Sequence, residues 1–422
     1  MNFTGTAGND MLVGTSGDDI FDMSQGGDDN VDGGDGNDTF NFGNAFTGAD
    51  IIAGGNGADV LSLDGDYHAG VTFNSANVAV EKIVLAPFHH YTLTDSYLAN
   101  GSSLTVDGSA LTAKDPLNFQ AQTSDGRFFV TGGAADDIID TGAGSDTING
   151  GAGDDSIRPG SGNNIVKGAD GNDFISFAGP NEVFNVHDVL DGGNGFDAVN
   201  IDGTYASMTF TTTTLTGIED LAFIGGSFNV TTNDANVAAG QTLFVSAASL
   251  SSAQSLTFHG AAETDGSFDI TGGAGADTLI GGNNVDRFTG GGGADRFTGG
   301  GGGDLFLYNA VSDSTSTTYD HISDFNAAQD FIHLPVAVTG IDPTIMGGVV
   351  NAASFDANLA SVVSSTVLLA HHAMLLQPGG GDLHGHLFLV VDANGVAGYQ
   401  ASQDLVVEVT GMTGALTTGN FV

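Results

Sequence analysis

Residues 132–176 read GGAADDIID, TGAGSDTIN, GGAGDDSIR, PGSGNNIVK and GADGNDFIS, nonapeptides that follow one another without a gap. Their sixth positions are Asp137, Asp146, Asp155, Asn164 and Asp173, and two residues after each stands a large apolar side chain, as in Ile139, Ile148 and Ile157. A second uninterrupted run, GGAGADTLI, GGNNVDRFT, GGGGADRFT and GGGGGDLFL, sets Asp277, Asp286, Asp295 and Asp304 in the same phase with Leu279, Phe288, Phe297 and Phe306. Near the start of the chain Asp10, Asp19, Asp29, Asp38, Asp50 and Asp59 repeat less regularly, and a lone copy, GGNGFDAVN, carries Asp197. Glycine-rich low complexity would leave the apolar residues without a fixed phase, so the lock between acid and apolar position marks a folded repeat.

The glycines permit backbone conformations closed to other residues, and the last three residues of each unit suit a short strand. Two units make one turn of a solenoid. Stacking turns at about 4.8 Å aligns the acid of one unit with that of the unit two further on, and backbone carbonyls of both turns complete a set of hard oxygen ligands. Such a set fits calcium and not zinc. One ion for each pair of stacked turns gives about eight to ten calcium ions. Asn164 departs from the pattern and predicts a weaker site through its lost charge. Pro159 and Lys167 depart from it in the same unit, and the slipped spacing around Asp50 and the isolation of Asp197 leave either acid open to having no stacked partner.

Composition points the same way. The 422 residues carry 51 acidic and 7 basic side chains, a formal charge of −44, and all but five of the acids are aspartate. That charge excludes a general attraction to nucleic acid or to an anionic membrane, and it calls for divalent cations to neutralise it. Disorder is disfavoured by 28 phenylalanines and by the phase-locked pattern. With no cysteine, disulfides and thiolate metal sites are excluded. No run of apolar residues is long enough to span a bilayer, and MNFTGTAGND lacks the features of a cleavable secretory signal.

The expected architecture is all-β, with parallel β-roll or β-solenoid repeat blocks alternating with β-rich inserts and followed by a mixed C-terminal region. The blocks are placed at 1–62, 132–200 and 272–308, the inserts at 63–131 and 201–271, and the C-terminal region at 309–422. The inserts are duplicates, since DVLSLDGDYHAGVTF from residue 59 matches DAVNIDGTYASMTF from residue 197. Within the last region SFDANLASVV, residues 354–363, predicts a helix with Ser354 as its N-cap and Phe355, Leu359 and Val362 on one face. Asn394-Gly395 predicts a hairpin turn.

The nonapeptides carry the G-G-x-G-x-D-x-U-x signature and closely resemble the repeats-in-toxin (RTX) family, which implies parallel β-rolls that bind calcium. LFLYNAVSDSTSTTYDHISDFNAAQDFIHL, from Leu305, resembles the segment that follows the repeats in serralysin-type secreted proteases. In that resemblance Asp320, Asp324 and Asp330 cap the roll and hold a further ion. The tail, LVVEVTGMTGALTTGNFV, is similar to type I export signals, which implies a protein secreted from a Gram-negative bacterium through that machinery, folding on extracellular calcium.

No H-E-x-x-H or G-x-S-x-G is present, and Glu81 and Glu219, at matching places in the two inserts, read as repeated scaffold rather than catalysts. His371, His372, His384 and His386 offer imidazoles to a transition metal, although turn or core positions account for such histidines more simply. The leading expectation is a non-enzymatic structural or adhesive protein of the cell surface, matrix or surface layer. It would associate with itself through calcium or with surface polysaccharide. The alternative is a secreted polysaccharide-active enzyme that uses the repeats for export and folding; a membrane-active toxin is disfavoured, since no amphipathic or apolar segment precedes the repeats.

Overall fold

The computed structural model describes residues 1–179 and 182–422. The chain divides into two compact units, one of Met1–Asp202 with Thr213–Glu219 and one of Gly203–Thr212 with Asp220–Val422.

In the first unit successive strands of the repeats alternate between two sides of the coil, each built of parallel strands, and the N-terminal block has a four-stranded sheet of its own on one side. Ile138–Asp140 pairs with Ser156–Arg158 in one, and Thr147–Ala152 with Ile165–Asp170 in the other. The register keeps the apolar position in line from turn to turn, through Phe3, Phe21, Phe40, Leu61, Ile83, Val106, Val130, Ile148, Val166, Leu190 and Leu215. On the other side run Val71, Leu93, Phe119, Ile139, Ile157, Ile175 and Val199. The two columns form the core between the sheets, and their rings stack directly, with Phe21 centred 5.0 Å from Phe40. A side-chain period of two sends every second residue inward, so one large residue per short strand suffices to build this core.

The insert at 63–131 belongs to the same coil. Its strand Lys82–Leu85 pairs in parallel with Val60–Leu63 before it and with Ser103–Asp107 after it, and Leu117–Gln120 pairs with Ile138–Asp140 of the following repeat block. The insert is therefore a set of turns with longer loops.

The second unit repeats the plan. One column joins Leu221, Val245, Ile270, Phe288, Phe306 and Ile332, and its counterpart joins Val230, Phe258, Leu279, Phe297 and Ile322. Beyond Asp320–Ile322 the pairing changes character. Leu405–Glu408 adds to it in parallel, then Phe388–Val391 and His372–Gln377 continue antiparallel. The expected helix is present as Phe355–Val362 with Ser354 at its N-cap. It buries Phe355 and Leu359 against Met374, Phe388 and Val406, while Val362 packs at the margin of that cluster.

Asn394-Gly395 does not form a two-residue hairpin. Strands Phe388–Val391 and Leu405–Glu408 are joined by the whole of 392–404, because buried Asp392 and Asp404 gather the backbone around themselves. Asp392 Oδ1 accepts from Gly395 N–H at 2.7 Å, and Asp404 Oδ2 accepts from Gln400 N–H at 2.6 Å.

Candidate metal centre

The repeat 150–158 shows how the site is built. Its strand Thr147–Ala152 runs on through Gly150 and Gly151, and Gly151 lies opposite Ala169 of the next turn with φ of +119°. A residue with a Cβ is strained at that φ. Asp155 then points inward. Its Oδ1 accepts from the backbone N–H of Asp137, one turn back, at 2.8 Å, and its Oδ2 is buried without any hydrogen-bond partner. A methyl group on Gly150 would collide with that oxygen and crowd the carbonyl oxygen of Gly168, one turn on. A carboxylate oxygen and a backbone carbonyl thus face the same small space above the glycine.

The arrangement recurs as a ladder. In the N-terminal block Asp29 bonds to the N–H of Asp10 at 2.9 Å, and Asp38, Asp50 and Asp59 bond to Asp19, Asp29 and Asp38 at 2.8 Å each. Asn164 reaches Asp146, Asp173 reaches Asp155, and Asp197 reaches Asp173, at 2.9, 2.8 and 2.7 Å. Asp50 and Asp197 therefore both have stacked partners despite the irregular spacing around them. In the second unit Asp295, Asp304, Asp320 and Asp330 bond to Asp277, Asp286, Asp295 and Asp304 at 2.8, 2.9, 2.8 and 3.0 Å. The first acids after each insert reach back into it: Asp137 to Leu117 and Asp146 to Phe128 in the first unit, Asp277 to Leu256 and Asp286 to Phe268 in the second.

Asp324 stands outside the ladder. Its two carboxylate oxygens accept from the N–H groups of Gly299 and Gly300 at 2.9 and 2.8 Å, an interaction that ties down the loop. Asp10 is half exposed, and its carboxylate folds back onto Thr6. Three residues not singled out as ligands continue the ladder: Asp188 accepts from Asn164 N–H at 2.6 Å, Glu81 from Asp59 and Glu219 from Asp197 at 2.8 Å each. Each has a buried apolar residue two positions on, Leu190, Ile83 and Leu221, the same signal that marks the nonapeptides.

The ladder acids fall into two conformational classes. Asp137, Asp277 and Asp286, which open their blocks, use Oδ2 to accept from the N–H of Gly133, Gly273 and Gly282 at 2.6, 2.7 and 2.7 Å. At Gly34, Gly55, Gly151, Ala169, Gly193 and Gly291 the second loop residue takes positive φ and the corresponding acid keeps a buried, unpartnered Oδ2: Asp38, Asp59, Asp155, Asp173, Asp197 and Asp295. Asp29, Asp146 and Asp320 also hold such an oxygen. A buried carboxylate oxygen without a partner is costly.

The titration behaviour follows from that burial. Desolvation, with the charges of Asp137 and Asp173 adding to it, pushes the carboxyl of Asp155 up to about 8. Burial and the charge of Asp286 raise Asp304 to about 7, and burial raises Asp146 and Asp286 to about 6. Asp320, beside Asp295, is driven up strongly by burial and then by its neighbour's charge. Aligned acids thus oppose one another until a cation lies between them. The donors are carboxylates and backbone carbonyls, hard oxygens that match calcium's six to eight oxygen ligands, and the free oxygens and the space above each glycine fit that ion.

Among the described residues the four C-terminal histidines form no group of three or more that could hold one metal ion. His372 Nδ1 lies 3.0 Å from Asp342 and His386 Nδ1 2.7 Å from Glu408, while the ring of His371 lies against Gly395. Among the described residues no helix is long and apolar enough to cross a membrane.

Comparison with known families agrees with this geometry. The model of the RTX calcium-binding nonapeptide repeat matches residues 4–40, 23–46, 47–66, 131–166 and 160–178. The model of the peptidase M10 serralysin C-terminal domain matches residues 259–365, a range that takes in the third repeat block. No curated protein matches the chain. The chain thus carries RTX calcium-binding nonapeptide repeats on a parallel β-roll, followed by a serralysin-like C-terminal segment.

Proposed function

We propose that the protein is a type I secretion substrate whose repeat ladders fold on extracellular calcium, and that it serves as a structural or adhesive component of the cell surface or matrix. The observation that carries the calcium reading is the set of buried Oδ2 atoms without partners at Asp38, Asp59, Asp155, Asp173, Asp197 and Asp295, each set against a glycine of its own loop. Between them the turns would take about eight to ten ions, and sites of the weaker extracellular class fill at millimolar calcium. In a calcium-poor cytosol the aligned acids keep the ladder open, which suits export of an unfolded chain. Type I export is supported by the serralysin-type match over 259–365. The structural or adhesive role is supported by how much of the chain is given to stacked turns.

The test is circular dichroism with parallel light scattering while calcium rises from chelator to about 10 mM, a range that brackets extracellular sites. A cooperative gain of β signal is expected, with scattering that rises alongside it as copies associate. A β signal indifferent to calcium would overturn the calcium reading. Monomers throughout would overturn self-association.

A second reading, a polysaccharide-active enzyme, has one observation in its favour. A cavity of about 260 Å³ in the first unit is lined by Gln122, Asp140, Thr141, Arg158 and Glu182. Asp140 is buried there with an unpartnered Oδ1, and burial together with the charge of Glu182 raises its carboxyl to about 6. A general acid beside a second carboxylate is what glycoside cleavage requires. Loss of polysaccharide depolymerisation in Asp140→Asn would favour this reading; no depolymerisation by the unaltered protein would remove it.

A further inference from the structure

Glu263 lies in a loop of the insert before the last repeat block, outside the acid ladder, and its side chain is fully buried. Its Oε1 accepts from three successive backbone donors, Thr264 and Asp265 at 3.1 Å and Gly266 at 2.7 Å. Its Oε2 is buried and has no partner. The loop has wrapped itself around one oxygen and left the other bare. Asp234, which begins the short 3-10 turn Asp234–Asn236 on the neighbouring coil, is held to the same loop by the N–H and hydroxyl of Thr264 at 2.8 and 2.7 Å. Carboxylate oxygens of Asp234, Glu263 and Asp265 lie within 4.8 Å of one another, and among the described residues this is the one such gathering of potential metal ligands.

We infer that Asp234, Glu263 and Asp265 form a calcium site separate from the nonapeptide ladder. Ligand oxygens at 2.3–2.6 Å from a calcium ion lie at most about 5 Å apart across it, the span these three carboxylates occupy. Three carboxylates and no nitrogen or sulfur form a hard donor set. Two of the residues are exposed, so the ion is open to water on one side, and water fills the remaining coordination positions. Among the described residues, no Lys, Arg or His pairs with any of the three carboxylates.

The duplicate insert supplies an internal comparison. Ser124 occupies the equivalent turn: its N–H bonds to the carbonyl of Ala121 and its own carbonyl accepts from Ala143. Glu263 does the same with Gly260 and Asn283. There the Ser124 hydroxyl accepts from Leu98 N–H at 2.9 Å and donates to buried Asp95 at 3.0 Å. Every group is satisfied without an ion. The insert with Glu263 exchanges this closed network for a buried carboxylate that keeps one oxygen bare and is gathered with two exposed acids.

The experiment counts calcium on the full chain by equilibrium dialysis with radioactive calcium at millimolar concentration, checked by native mass spectrometry. Glu263→Gln keeps an acceptor for the three N–H groups and removes the charge, while the pair Asp234→Asn with Asp265→Asn alters exposed positions only. Each variant is expected to bind one ion fewer than the unaltered chain with the same β signal in circular dichroism. If Glu263→Gln fails to fold, the exposed pair still reads the count. An unchanged count in a folded variant overturns this site and leaves the repeat ladder standing, whereas an unaltered chain that binds no calcium overturns both.

Discussion

Glu81 Oε2 accepts a hydrogen bond from the backbone N–H of Asp59 at 2.8 Å, in the position that an aspartate of the next turn fills within the repeat blocks. Glu219 does the same for Asp197. Where a nonapeptide run meets an insert, a side chain longer by one methylene carries the ladder across the junction.

Removing that carboxylate should leave a backbone donor of the ladder unsatisfied. Glu81→Ala is expected to destabilise the first unit by about 1–3 kcal/mol in calcium, the usual cost of a buried donor left unpaired. Glu81→Gln, which retains an acceptor, should recover most of it. Thermal or denaturant unfolding of the two variants provides the measurement, and equal losses in both would assign the effect to charge instead.

Adjacent glycines in the last block should respond oppositely. Gly291 has φ of +90° and a methyl group there would strike the carbonyl oxygen of Gly273, whereas a methyl on Gly292 meets nothing closer than 3.6 Å. Gly291→Ala should cost more than about 1–2 kcal/mol through its left-handed backbone alone. Gly292→Ala should be neutral or stabilise by about 0.4–1 kcal/mol. Melting curves at millimolar calcium distinguish them.

Acidity should act with opposite sign in the absence and in the presence of calcium. The carboxyls of Asp155, at about 8, and Asp304, at about 7, lie above the ordinary value of 3.8 in the folded chain. Their contribution to the calcium-free fold is complete below about pH 4 and is lost as pH rises through about 7 to 8. In chelator, lowering the pH from about 8 to 5 should therefore increase β signal. With calcium present protons compete for the same oxygens, so the calcium midpoint should rise several-fold over the same change. A midpoint independent of pH would show that these acids do not hold the ion.

Asn164 interrupts the row of charge. Its Oδ1 accepts from Asp146 N–H at 2.9 Å while its Nδ2 is buried without a partner. Asn164→Asp supplies an oxygen in place of that nitrogen. At millimolar calcium it should raise the melting temperature by about 2–4 °C, the shift that 1 kcal/mol gives in a unit of this size. A lower melting temperature would mean that no ion sits beside residue 164.

The sequence made the ladder legible because acid and apolar residue keep a two-residue offset, and that offset reflects a strand whose alternate side chains face the core. Asp188 was missed although Asp188, Val189 and Leu190 keep the same offset, because no glycine pair precedes it to announce a repeat. The parallel stacking of the inserts was hidden for a related reason: their loops vary in length, so no fixed period connects Ile83 to Val106 and Val130. Asp324 was grouped with Asp320 and Asp330 through the resemblance to the serralysin-type segment, whereas its carboxylate accepts from the N–H groups of Gly299 and Gly300, which sequence cannot place. Asn394-Gly395 misled because its hairpin chemistry is local, and the buried carboxylates of Asp392 and Asp404 outweigh it.

One turn of the ladder is 18 residues from Asp137 to Asp155, 21 from Asp29 to Asp50, 24 from Asn164 to Asp188 and 26 from Asp304 to Asp330, yet the hydrogen bond that closes each stays between 2.6 and 3.0 Å. The surplus residues are expelled sideways into loops, and the spacing along the stack does not register them. Such a molecule separates its ruler from its cargo: foreign peptides spliced into the loop of a long turn would be held at intervals that the stack alone sets.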